Sequence, residues 1–192
     1  MTHTNDVEQV DHGTLEQTGE RPVLRFMRRL AHPRERVWRT LTQEDHLAAW
    51  FPTTIEGALA PGASLRFSHT DQVVPPFDGE MLAFEPPALM ELRWGDDVLR
   101  FELEPDGPDG CVLVFTATFD ELGKAARDGA GWHACLDLLA CEADGRKAPW
   151  SSADRWRQVH EGYKERFGSQ AATIGPPEAW ESTYGSASAQ PD

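Results

Sequence analysis

Basic residues are scarce in this sequence. Lys and Arg together number 18 against 32 Asp and Glu, which gives a formal net charge of −14 over 192 residues. Such an excess of negative charge repels the phosphates of nucleic acids and the headgroups of anionic lipids. We therefore expect no nucleic-acid partner and no electrostatic attachment to a membrane surface.

Long apolar runs are missing, and cysteine is rare. No stretch of 18 apolar residues occurs, so we predict no membrane insertion, and the first twenty residues are too polar for a signal peptide. The three cysteines are an odd number, which fits a reducing compartment rather than a disulfide framework. These features together predict a cytoplasmic protein.

Sequence motifs for metals, phosphates and nucleophiles are also absent. No GxSxG, HExxH or phosphate-cradling glycine loop occurs, and Cys135 and Cys141 lie too far apart along a helix to share a zinc ion with His133. His133 and Asp137 are four residues apart and are expected to form a solvated surface pair rather than a general base. We therefore predict no catalytic residue, no metal ligand and no cofactor.

What the sequence does contain is a long series of alternating apolar and polar residues. This alternation predicts a first strand over 23–30 and six more strands joined by tight turns, over 53–57, 64–70, 77–85, 88–94, 97–104 and 111–119. Two short helices are predicted between Pro33 and Phe51, with Thr42 as the N-cap of the second.

Helical spacing returns after Gly123. Apolar residues at 132, 135, 136, 139 and 143 predict a long helix, and a further helix is predicted over 153–167. The fold class is therefore α+β, with a seven-stranded antiparallel sheet wrapped around the long C-terminal helix. We expect a single domain at 23–168, a disordered acidic tail at 1–22 and a flexible tail at 169–192, although Trp180 and Tyr184 could dock on the domain.

Several strings occur in the order of a known superfamily. They are PRERVWRTLTQEDHLAAWF at 33–51, GEMLAFEPP at 79–87, Leu92 to Trp94, and Gly131-Trp132 at the opening of the long helix. The chain thus resembles the START-like, or SRPBCC, superfamily, which shares the helix-grip fold of the birch-pollen allergen. Within it, the heat-shock-protein-90 ATPase activator branch is the most similar. The resemblance implies a hydrophobic cavity or groove between sheet and helix.

The inward faces of the predicted elements supply the candidate ligand contacts. Alternation alone favours a solid core, whereas the resemblance favours an aromatic-lined pocket. The apolar candidates are Phe26, Phe67, Leu92, Trp94, Phe101, Phe115, Trp132, Leu136 and Leu139. Arg28 falls on the same face, where it either binds a ligand carboxylate or extends outward from a strand end.

The first functional hypothesis is the binding of a hydrophobic small molecule, lipid-like or polyketide-like, without a cofactor. A cyclase or aromatase using the same cavity is the second, ranked lower because inward polar residues are few. The third is a chaperone-linked or stress-response interaction domain, which a filled core favours. A protein partner or a second copy of the chain is therefore the other partner we consider.

Overall fold

The computed structural model describes residues 12–17, 19–70 and 74–178. Its strands form one antiparallel sheet with the order β1-β2-β8-β7-β6-β5-β4-β3. The strands are β1 (Thr14–Glu16), β2 (Val23–Leu30), β3 (Thr53–Glu56), β4 (Ser64–His69), β5 (Phe77–Glu85), β6 (Leu89–Trp94), β7 (Asp97–Pro105) and β8 (Cys111–Thr118).

Four α-helices complete the described part of the fold. They are α1 (Arg34–Thr42), α2 (Glu44–Trp50), α3 (Ala125–Ala143) and α4 (Ser152–Phe167), with short 3-10 turns at Leu122–Lys124 and Ser169–Ala172. The predicted α+β fold, with a large antiparallel sheet and a long C-terminal helix, is confirmed. The N-cap of α2 is Gln43, so the prediction of Thr42 is wrong by one residue. In the described ranges no helix is both long and apolar enough to cross a bilayer.

The sheet has eight strands rather than the predicted seven. The additional strand is β1, in which Leu15 pairs with Leu24 of β2. The expectation of a disordered segment through residue 22 is therefore wrong for residues 14–16. Three residues with a single apolar side chain carry no alternation signal, so the sequence alone gave no sign of this strand. The predicted tail positions 1–11 and 179–192, including Trp180 and Tyr184, lie outside the described residues.

The core lies between the sheet and α3. Neighbouring strands place Phe26, Phe115 and Phe101 side by side, because Phe115 of β8 pairs with both of the others. The rings of Phe101 and Phe115 lie 4.7 Å apart, and both side chains are fully buried. Burial of each such ring stabilises the fold by about 1.5–3 kcal/mol. The inner face of the sheet is thus a packed aromatic layer.

Helix α4 packs along α3 through a glycine. A Cβ atom at Gly129 would lie only 3.0 Å from Tyr163 and 3.1 Å from Phe167, so glycine permits the close approach of the two helices. At its N-terminus α4 has a capping box, in which Ser151 and Asp154 each accept from the other's backbone N–H. The position of α4 is therefore fixed both by packing and by its cap.

Candidate functional site

A cleft of about 460 Å³ opens along one side of α3, between α2 and the beginning of α4. Its volume lies within the range of small-molecule sites, about 300–1,000 Å³. Five of its twenty lining residues are tryptophan or phenylalanine. They are Trp50, Phe51, Trp94, Trp132 and Trp156.

The cleft face of α3 is a stripe at helical spacing. Asp128, Gly131, Cys135 and Leu138 line the cleft at intervals of three and four residues, and Arg127 and Trp132 line it beside them. Cys135 is buried, and burial raises the pKa of its thiol to about 12. The thiol is therefore a small apolar wall group rather than a nucleophile.

Trp132 separates the cleft from the core. Its ring lies 4.8 Å from Phe115 on the core side, 5.7 Å from Trp94 and 6.0 Å from Phe51. Trp132 also lines the cleft and is 7% exposed, so a small part of its surface remains accessible. Trp132 is thus held by aromatic contacts with the core and with the walls of the cleft.

The charged groups at the rim are already paired with one another. The Arg127 guanidinium donates to Asp128 at 2.7 Å and to the carbonyl oxygen of Gly175 at 3.3 Å. Lys124, which does not itself line the cleft, lies 3.7 Å from Asp128 and donates to both carboxylate oxygens of Asp97 at 2.8 Å. Burial raises the pKa of Asp97, partly offset by Lys124. Arg127 and Asp128 therefore add little net charge to the cleft, whose other polar lining residues are His69, Thr70, Ser151 and Ser152.

Two of the ten predicted ligand-binding residues, Trp94 and Trp132, line this cleft. Seven others fill the core, each no more than 1% exposed: Phe26, Phe67, Leu92, Phe101, Phe115, Leu136 and Leu139. The structure thus brings most of the predicted residues together as packing between the sheet and α3.

Arg28, the remaining predicted residue, is 5% exposed and lies away from the cleft. Its guanidinium is 3.4 Å from the carboxylate of Asp137 on α3. Neither of the two roles considered for Arg28 describes this position, because the side chain neither reaches solvent nor lines the cleft. It is instead a cation held inside the protein by an internal carboxylate.

His133 and Asp137 are part of a buried network, so the expectation of a solvated surface pair is wrong. His133 is 1% exposed, with Nδ1 3.0 Å from the hydroxyl of Tyr163 and Nε2 3.2 Å from Asp137. Burial tends to raise the pKa of Asp137, but His133, Arg155 and Arg28 outweigh it and lower the pKa to about 2. Burial also raises the pKa of Tyr163 to about 12. The sequence did not reveal this because α4 covers that face of α3.

Trp50, Phe51 and Trp156 are wall residues that the sequence analysis did not select. Each belongs to a helix or loop rather than to the sheet, so strand alternation gave no reason to choose it. The end of α2 before Pro52 was the available signal, since it places two aromatic residues beside a chain reversal. Across the described ranges, no group of three His, Cys, Asp or Glu side chains could hold a metal ion.

Known proteins and structures share this architecture. The family model described as "Activator of Hsp90 ATPase homolog 1-like protein" matches residues 31–143. The conserved protein EF2215 from Enterococcus faecalis superposes with a TM-score of 0.68 at 21% identity, over 80% of this chain and 89% of that one. The protein encoded by BPP1335 from Bordetella parapertussis superposes with a TM-score of 0.63 at 28% identity, over 81% of this chain and 90% of that one.

DynU16, a protein of the dynemicin biosynthetic locus, has a TM-score of 0.58 at 23% identity, over 67% of this chain and 51% of its own. No curated protein matches the chain. The structural similarities show a shared fold, and the matched segment spans more than half of the 192 residues, from the end of β2 through α3. The chain therefore belongs to the Activator of Hsp90 ATPase homolog 1-like family, within the SRPBCC superfamily.

Proposed function

We propose that this protein binds a hydrophobic small molecule in the cleft between α2, α3 and the beginning of α4. The observation that carries the proposal is an opening of about 460 Å³ whose mostly apolar walls include four tryptophans and Phe51. Removing apolar ligand surface from water contributes about 25 cal/mol per Å², so such walls can supply most of the affinity. The proposed position differs from the sheet–helix interior, which Phe101, Phe115 and Leu136 fill.

A cyclase-type enzyme is the second candidate function, because DynU16 comes from a biosynthetic locus. Such chemistry needs at least two polar groups that converge on the ligand. Among the polar lining residues, Arg127 and Asp128 bond to each other, and Ser151 is hydrogen-bonded to Asp154 as the cap of α4. Binding therefore ranks ahead of catalysis. A cytoplasmic location and a domain running over 23–168 remain predictions.

The proposal can be tested with prodan, a neutral naphthalene ketone whose emission shifts to the blue in apolar surroundings. The full chain should bind prodan with such a shift. Ala49 lies on α2, is exposed and lines the cleft, so Ala49→Phe should fill the opening without disturbing the core. We expect prodan affinity to fall about tenfold or more, as overfilling a packed site costs about 1–3 kcal/mol.

The matched control is Ala58→Phe. Ala58 is also exposed but lies in the loop after β3 and does not line the cleft. This variant should bind prodan like the wild type. Equal affinity of Ala49→Phe and the wild type would place the probe elsewhere and contradict the proposal.

A further inference from the structure

We propose that the ligand is an aromatic compound bearing a carbonyl or similar oxygen, which accepts a hydrogen bond from the indole N–H of Trp132 in space that Gly131 leaves open. This inference rests on the proposed function and specifies its ligand class. Two adjacent residues of α3 carry it, and each has a structural feature that the fold does not require.

The first feature is the hydrogen bonding of the tryptophans around the cleft. Trp50 donates to the carbonyl oxygen of Thr40 at 2.9 Å, and Trp156 donates to that of Arg127 at 3.0 Å. Trp94 donates to the hydroxyl of Thr53 at 3.3 Å. The N–H groups of these three indoles are thus used within the protein.

Trp132 is different. Its indole N–H has no acceptor among the described residues, although the ring is only 7% exposed. No fully buried side-chain nitrogen or oxygen in the described part of the chain lacks a partner. The indole nitrogen is therefore not fully buried, and the cleft is the opening that Trp132 lines.

An indole N–H in an apolar cleft selects for a hydrogen-bond acceptor. It is a donor only, and enclosing it against a ligand without an acceptor costs the hydrogen bond that water would otherwise make. A carbonyl, phenol or ether oxygen beside the N–H satisfies it. The aromatic walls favour a ring system for the remainder of the ligand, through stacked or edge-to-face contacts.

The second feature is Gly131. Glycine inside a helix costs about 1 kcal/mol relative to alanine, so its presence in α3 calls for a reason. Gly129 has one, since a Cβ there would press on Tyr163 and Phe167. At Gly131 a Cβ would meet no described heavy atom within 4 Å, and the residue lines the cleft. The missing Cβ therefore leaves room for a ligand next to Trp132.

The hydrogen bond is tested with two probes, prodan and its analogue in which CH2 replaces the ketone C=O. On prodan binding, the indole 1H–15N signal of Trp132, assigned by triple-resonance NMR, should move downfield. The analogue should leave it nearly in place. Prodan should also bind about three- to tenfold more tightly, which is the contribution of one net hydrogen bond.

The proposal that Gly131 leaves space for the ligand is tested with Gly131→Ala. This variant should fold with a higher melting temperature yet bind prodan about tenfold more weakly, because the new methyl group occupies ligand space. Gly162→Ala on α4 is the matched control, since its nearest contact to a Cβ is 3.9 Å away and it does not line the cleft. It should leave prodan affinity unchanged.

The outcomes distinguish this inference from the proposed function. If Ala49→Phe abolishes prodan binding while the Trp132 signal stays fixed and both probes bind equally, the ligand class is wrong and the cleft remains the binding site. Unchanged prodan affinity in Gly131→Ala would likewise overturn the role of Gly131. If neither probe binds the wild-type chain, the proposed function and this inference both fail.

Discussion

At the scale of single residues, the hydroxyl of Tyr163 joins three parts of the molecule. It accepts from the backbone N–H of Gly13 at 2.8 Å and lies 3.0 Å from Nδ1 of His133, while its ring belongs to α4. The side chain is fully buried, so water cannot take the place of the hydroxyl as a hydrogen-bond partner of these groups. One oxygen atom thus connects the segment before β1 with α3 and α4.

Tyr163→Phe removes that oxygen and keeps the ring. We expect the free energy of unfolding to fall by about 1–3 kcal/mol, because the Gly13 N–H and the His133 ring each lose a partner inside the protein. Urea unfolding followed by circular dichroism measures the change. Hydrogen exchange should show Gly13 as less protected, and an unchanged urea midpoint would contradict the role given to this hydroxyl.

At the scale of elements, three faces of α3 border three different parts of the molecule. One face packs under the sheet, a second contacts α4 at Gly129, and the third borders the cleft at Gly131. The two glycines are two residues apart and so point to different sides of the helix. Their similar sequence context conceals different functions, one in packing and one in leaving space.

Gly129→Ala should destabilise the protein even though alanine is the better helix former. The new Cβ would lie 3.0 Å from Tyr163, a ring whose hydroxyl is fixed by two hydrogen bonds, so the ring or its helix must shift by a few tenths of an ångström. We expect a loss of about 1–3 kcal/mol. Gly162→Ala, with no atom closer than 3.9 Å, should instead gain about 0.5–1 kcal/mol. Thermal unfolding of the two variants and the wild type shows whether each substitution lowers or raises the stability.

Ser151→Ala tests the beginning of α4. The Ser151 hydroxyl accepts from the backbone N–H of Asp154 at 3.1 Å, so its removal leaves that N–H without its cap. We expect a loss of about 1 kcal/mol in the free energy of unfolding, the usual cost of losing an N-cap. Ser151→Thr is the control, because its hydroxyl still accepts from the Asp154 N–H and donates to the Asp154 carboxylate. A loss of similar size in both variants would show that the cap is not responsible.

At the scale of the whole molecule, the protein combines a filled centre with an opening at one side. The sheet and α3 enclose aromatic packing, while α2, α3 and the start of α4 leave the cleft. On another side, Asp137 is the carboxylate that faces Arg28, Arg155 and His133. Global stability therefore depends on pH through a carboxylate that does not line the cleft.

The pH dependence has a definite sign. The pKa of Asp137 is about 2 in the folded protein and near 3.9 in an unfolded chain, so its ion pairs stabilise the fold above about pH 4. That contribution, about 2 kcal/mol, is lost as the pH falls toward 2. Asp137→Asn should therefore be about 3 kcal/mol less stable than the wild type at pH 7, since Arg28 loses its charged partner.

The difference in the free energy of unfolding between wild type and Asp137→Asn should become smaller as the pH is lowered from 5 to about 2.5. Urea unfolding at each pH measures it. Asp78→Asn is the matched control. Asp78 forms an exposed ion pair with Arg66, and removing such a pair changes stability by less than about 1 kcal/mol. If the stability difference between Asp137→Asn and the wild type did not change with pH, the assigned role of the carboxylate would be contradicted.

Local patterns in the sequence were sufficient for most of the fold. The strand predicted over 77–85 is β5, and the helix predicted over 153–167 begins one residue earlier in α4. Alternation and helical spacing report which side chains face inward, and this is a property of neighbours along the chain. They also identified Trp94 and Trp132 as inward-facing, and both line the cleft.

The sequence by itself determined the family, the elements and the apolar faces of this protein, because these follow from short-range periodicity. Only the tertiary structure decided which apolar face is filled and which is open. Phe101 and Trp156 carry the same kind of side chain, yet one lies in the core and the other borders the cleft. The difference comes from how helices far apart in sequence pack together, and no periodicity within one segment encodes that arrangement.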